Sequence, residues 1–127
     1  MSFDKELSRA VVKLKDYSAN QVKGSLFAIT GRTIKETPVD EGRLINNWQT
    51  SINRPMSGTV SGVDPSGSAA TRKAQAVINK MEMGDTLYFT NNLPYAARIE
   101  YEGWSKLAPA GMLRVNVERV RASLARR

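Results

Sequence analysis

Carboxylates are the side chains whose placement in this sequence raises the question of catalysis. Asp40 and Glu41 lie in one Pro- and Gly-punctuated stretch, Glu100 and Glu102 in another. Paired carboxylates run glycosidic chemistry when a cleft keeps one of them protonated. Alternatively, such a set holds magnesium for phosphoryl chemistry. The spacing of these four favours neither. The chain contains no His and no Cys, which removes Cys/His zinc sites, thiol nucleophiles, Ser-His-Asp triads and disulfides. No phosphate-binding loop is present either. The expectation is a protein that is not an enzyme, with no metal and no cofactor.

Charge is the second constraint. Nineteen Lys and Arg stand against 12 Asp and Glu, a formal net charge of +7. Such a field favours nucleic acid or an acidic protein face, and it also serves plain solubility. The C-terminus is the basic end: Arg114, Arg119, Arg121, Arg126 and Arg127 are opposed by Glu118 alone. These arginines suit phosphate contact. No helix-turn-helix, zinc finger or aromatic platform accompanies them, so sequence-specific recognition is not expected. Apolar runs are short and Met1-Ser2-Phe3-Asp4 opens no signal peptide, which predicts a soluble cytoplasmic product without a membrane span.

The elements that must position these residues follow from periodicity. A chain of 127 residues predicts one domain, residues 1–127, with a modest core. Ser2 caps a helix running to about Glu36, stopped by Pro38, with Phe3, Leu7, Val11, Leu14, Val22, Leu26 and Ile29 as its apolar stripe. At 1.5 Å per residue it reaches ~50 Å, long for a small domain. Gly24, Ala28 and Gly31 fall on another face. They form either a small-residue patch for a neighbouring backbone or a break in the helix. Alternation over Leu44, Trp48, Thr50 and Ile52 predicts a strand, and residues 59–63 a return strand after the Arg54–Gly58 turn, making a hairpin.

Asp64-Pro65 signals a second helix to about Met83, with Ala70, Ala74, Val77, Ile78 and Met81 inward and Gly84 as its stop. A strand follows over Asp85–Asn91, then a short helix from Pro94 covering Tyr95–Tyr101. A loop carrying Trp104 leads to a last helix opened by Pro109, with Leu113, Val117, Val120 and Leu124 inward. The order α-β-β-α-β-α describes an α+β domain with a small antiparallel sheet.

Four punctuated stretches join these elements: Thr37–Leu44, Asn91–Ala96, Glu100–Gly103 and Ala108–Met112. In the first, Pro38 ends a helix, Asp40 can accept backbone N–H groups of Gly42 and Arg43, and Gly42 permits a positive φ. A structural turn accounts for all three, and Arg43 can pair with Asp40 or with a partner's carboxylate. In the second, the Asn pair suits a strand exit and Pro94 a helix start. Gly103 and Pro109 bracket the Trp104 loop.

These stretches resemble the neck and tail-completion proteins of long-tailed bacteriophages. That family carries a Thr-Pro-Val-Asp-Thr-Gly-Arg-Leu segment, matched by Thr37 to Leu44 with Glu41 in place of the usual Thr. It also carries an Asn-Pro-Tyr-Ala segment followed by Glu and Gly, matched by Asn92 to Ala96, Glu100 and Gly103, and a Pro-Ala-Gly-Met stretch like Pro109–Met112. The matches span residues 37–112 in order; the first helix and the helix at Pro65 agree only in length and position.

The resemblance implies a structural virion protein at the head–tail junction, closing into a hexameric ring around the DNA channel. Its implied partners are sister copies, the stopper or head-closure protein, the tail terminator or tail tube, and genomic DNA in passing. Alternatives are a tail terminator, a minor tail component or a basic DNA-binding accessory protein. Arg43, Arg98, Glu100 and Trp104 are the subunit-interface candidates; Trp48 is an anchor type that the alternation turns into the core. Arg114, Arg121, Arg126 and Arg127 are candidates for facing the channel or an acidic neighbour.

Overall fold

The computed structural model describes residues 19–39, 41–102 and 111–125. Among the described residues, seven elements follow in order: α1 (Ala19–Glu36), α2 (Arg43–Asn46), β1 (Trp48–Ile52), α3 (Ser68–Lys80), β2 (Leu87–Asn91), α4 (Ala96–Glu102) and α5 (Leu113–Ala125). The mixed α+β class and the broad element order agree with the sequence reading. The proposed N-terminal cap at Ser2 and the stripe from Phe3 to Leu14 lie outside the described residues.

Helix α1 is continuous through Gly24 and Gly31, so neither glycine breaks it. Its buried side carries Leu26, Ile29 and Ile34 together with Ser25, Thr30 and Thr33. Hydroxyls survive there because they bond back to the preceding turn: Thr30 to the Leu26 carbonyl at 2.9 Å and Thr33 to that of Ile29 at 2.7 Å. Across this side pack α3, through Ala70, Ala74 and Ile78, and α5, through Leu113, Val117, Val120 and Leu124. Lys23 donates to the Asn79 carbonyl at 3.1 Å, while Ile34 lies against Gly67. Helices α1 and α3 therefore run antiparallel.

The sheet corrects the expected hairpin. β1 pairs antiparallel with β2, in the register Trp48↔Asn91 to Ile52↔Leu87, and among the described residues the sheet consists of these two strands. Residues 59–63 form no strand. The reason is twofold. Strand β2 offers Leu87 and Phe89 to the core, and Phe89 stacks on Trp48 at 4.6 Å with planes 7° apart. The segment around Gly58 has no comparable apolar face, and side-chain amides take its backbone groups instead. Asn47 both donates to the Val60 carbonyl at 3.2 Å and accepts the Val60 N–H at 2.8 Å, while Gln49 donates to the Gly58 carbonyl at 3.0 Å.

Strand β1 also begins later than the alternation predicts. Arg43–Asn46 makes one helical turn, closed by the Asn46 N–H on the Gly42 carbonyl at 3.2 Å. That turn buries both Leu44 and Ile45, which alternation had placed on opposite faces. Gly42 has φ of +90°, and a Cβ there would sit 2.4 Å from the Pro65 nitrogen. Helix α3 starts at Ser68 rather than Pro65. Asp64 still serves its start, accepting the Ala69 N–H at 2.9 Å after a turn through Ser66 and Gly67. Its end comes at Lys80, where Met81 turns extended and Asp85 accepts the Glu82 N–H at 2.9 Å.

No helix among the described residues is long and apolar enough to cross a membrane.

Candidate functional site

The punctuated stretches are far apart in sequence, yet buried polar contacts tie each to another part of the core. Thr37 follows α1, and its hydroxyl donates to the Thr33 carbonyl at 2.6 Å. The same oxygen accepts the indole N–H of Trp48 at 2.8 Å. One hydroxyl thus ends a helix and satisfies the polar atom of the largest core side chain. Asn91, fully buried at the end of β2, donates to the Leu44 carbonyl at 2.9 Å and accepts the Leu93 N–H at 3.3 Å. Asn92 turns outward to hold the Met56 and Gly58 carbonyls at 3.0 and 2.9 Å.

Glu100 makes the densest of these junctions. It sits on α4 at 0% exposure. Its two carboxylate oxygens accept the N–H groups of Met112 at 2.8 Å, Leu113 at 2.9 Å and Arg114 at 2.8 Å. These are amides at the start of α5, which a helix leaves without internal partners and where its dipole favours negative charge. The Arg114 guanidinium closes the arrangement. Its Nε is 3.4 Å from Glu100 Oε1, its Nη2 donates to the Glu100 carbonyl, and its carbon lies 4.3 Å from the Tyr101 ring centroid. Gly111, at φ +94°, passes so close that a Cβ would sit 2.6 Å from the Glu100 carbonyl oxygen.

Glu100 is therefore not the exposed subunit-interface residue expected from the sequence. Its carboxylate is consumed by its own chain as the cap of α5. Arg114, expected to face DNA or an acidic neighbour, is likewise turned onto Glu100 and Tyr101, with 46% of its side chain exposed. Arg121 pairs with Glu118 at 3.0 Å one turn away on the exposed side of α5. Arg43 and Arg98 are exposed, on α2 and α4 respectively. Trp48 is core, as its alternation indicated. Pro38 and Pro94 stand at the exit of α1 and before α4, in the turn roles expected of them. Asp40, Gly103, Trp104, Pro109, Arg126 and Arg127 lie outside the described residues.

Glu41 is exposed in the turn before α2, whereas Glu100 is occupied by three amides and a guanidinium. No group of three or more metal-ligating side chains occurs among the described residues.

Three other carboxylates are held below their ordinary values by the hydrogen bonds they accept. Glu36 is lowered by the Asn116 amide at 3.0 Å and then by Arg119 at 2.8 Å. The Ser66 hydroxyl and the Ala69 N–H lower Asp64, and the Glu82 N–H and the Asn53 amide lower Asp85.

Sequence reasoning missed Asn116 and the long-range role of Asn91. Asn116 is fully buried on α5, donating to Glu36 and to the Met112 carbonyl at 2.9 Å. A polar residue on the inward stripe between Leu113 and Val117 was the available signal.

No family model, no curated protein and no solved structure matches the chain.

Proposed function

We propose that this chain is a structural virion protein of a tailed bacteriophage, working at the head–tail junction as one subunit of a closed ring around the DNA channel. The observation that carries the reading is the use made of the family-like residues. Thr37, Gly42, Leu44, Asn91, Glu100 and Gly111 belong to the stretches that carry the resemblance. Each is spent on joining one element to another. Residues placed that way build a rigid body from short elements, which is the requirement for a part that works by fitting. Its surface is offered to sister copies and to neck or tail proteins through exposed Arg43 and Arg98. On this reading the protein turns over no substrate.

The test is reconstitution. Particles assembled without the chain accumulate as separate full heads and finished tails, and adding the purified protein restores joined, infectious particles. A chain absent from mature particles, or one whose removal leaves joining intact, overturns the reading.

A further inference from the structure

Among the described residues, the arginines of the basic C-terminal helix are paired, and exposed cations gather on another helix. On α5 each described arginine faces an acid: Arg114 meets Glu100, Arg119 meets Glu36 at 2.8 Å, and Arg121 meets Glu118. Helix α3 is the opposite case. Its sequence from Ser68 to Lys80 contains no Asp or Glu. Ala70, Ala74 and Ile78 face the core, while Arg72, Lys73, Ala76 and Lys80 are exposed on the other side. Arg72, Ala76 and Lys80 follow at four-residue steps and so share one face. Lys23 of α1 adds a further cation, its ammonium 3.1 Å from the Asn79 carbonyl. The carboxylates nearest in sequence are Glu82, exposed two residues after Lys80, and Asp64, which is engaged by Ser66 and Ala69 and acts on Arg72 only through space.

We infer that this face of α3, with Lys23 beside it, is a contact surface for the phosphate backbone of duplex DNA, blind to base sequence. The choice of polyanion rests on what the face lacks. A protein interface of useful affinity is anchored by aromatic or large apolar side chains, and between the α3 cations stand Ala76, Gln75 and Asn79. A phosphate backbone asks only for charge and close approach. From Arg72 to Lys80 the helix advances ~12 Å, within which one strand of B-form DNA presents about three phosphates. Hydrated lysine ammonium groups on flexible stems suit sliding contact better than a fixed fork would. For the source of that DNA the proposal rests on the ring reading above, whose channel the genome traverses.

Anisotropy of two unrelated labelled duplexes, titrated with the full chain between ~50 and ~200 mM salt, tests the surface directly. Expected are dissociation constants for both duplexes in the non-specific range of ~10⁻⁴ to 10⁻⁶ M near physiological salt. The slope of log affinity against log salt should fall by about 0.9 for each phosphate contact removed, hence by ~2 to 3 in the triple variant Arg72→Ala/Lys73→Ala/Lys80→Ala. All three positions are exposed on a helix, where Ala is well tolerated, and circular dichroism checks the fold. Arg121→Ala, which breaks a neutral pair, should leave the slope unchanged. An unaltered slope in the triple variant, a marked preference for one duplex, or no binding at the lowest salt would overturn the assignment; the last result points to an acidic protein instead. A wild-type chain that joins heads to tails without binding duplex sinks this surface and leaves the ring standing. One that binds through α3 yet is absent from particles does the reverse.

Discussion

A buried carboxylate is tolerated only when its lone pairs are used, and Glu100 uses them on three consecutive amides. The charge that would make it costly inside the core is what the start of α5 attracts. Glu100→Gln keeps the size but sets an NH₂ donor against N–H donors. It should destabilise the fold by about 2–3 kcal/mol in urea unfolding, the range for hydrogen bonds to a charged group. A loss below ~0.5 kcal/mol would mean that solvent, not α5, satisfies this carboxylate. The same logic explains Thr37, whose hydroxyl stands between the end of α1 and the Trp48 indole. Neither residue is one that sequence alone marks as structural. Thr37 reads as a helix end, and Glu100 reads as an exposed acid on a short helix.

Short elements need fixed joints, and the joint before α2 depends on Gly42. Its positive φ and the backbone of Asp64 and Pro65 packed against it leave no room for a side chain. Gly42→Ala should cost about 2–4 kcal/mol, combining left-handed strain with a clash against rigid backbone. Gly24 is the contrasting case, because it lies inside α1 and none of the described residues stands within 4 Å of a Cβ placed there. Gly24→Ala should raise stability by ~0.5–1 kcal/mol through helix propensity. If a neighbouring subunit uses that open face, the same substitution lowers joining of heads to tails while the melting temperature rises. The two readouts moving in opposite directions would separate an interface from an idle surface.

Taken as one body, the chain is strongly basic, with several of its acids spent as caps and clasps. Glu36, Asp64 and Asp85 have folded-state pKa values below their ordinary 4.5, 3.8 and 3.8. The folded protein therefore binds fewer protons than the unfolded chain where these groups titrate. Their contribution is present above the ordinary values and is lost as pH falls through the lowered ones. The urea midpoint should decline between pH ~5 and ~2. The double variant Asp64→Asn/Asp85→Asn should flatten that decline; an equally steep fall in the double variant would place the acid sensitivity elsewhere. Mutual repulsion among 19 cations adds to the loss once the acids are protonated.

Helix faces were legible because a 3.6-residue period leaves a mark in any sequence. The stripes Ala70–Ala74–Ile78 and Leu113–Val117–Val120–Leu124 are buried as read. Local punctuation likewise carried the Gly42 turn and the service of Asp64 to α3, since backbone conformation and capping depend on near neighbours. Strand pairing was not legible. β1 could meet the adjacent Gly58 segment or the distant β2, and only stacking of Trp48 on Phe89 with the diversion of Asn47 and Gln49 to the loop backbone chose between them. The fate of charge was decided the same way. Sequence determined how many arginines gather near the C-terminus, but pairing with Glu36, Glu100 and Glu118 depends on helices brought together in space. Composition is a property of the chain, whereas a net field at a surface belongs to the packed arrangement.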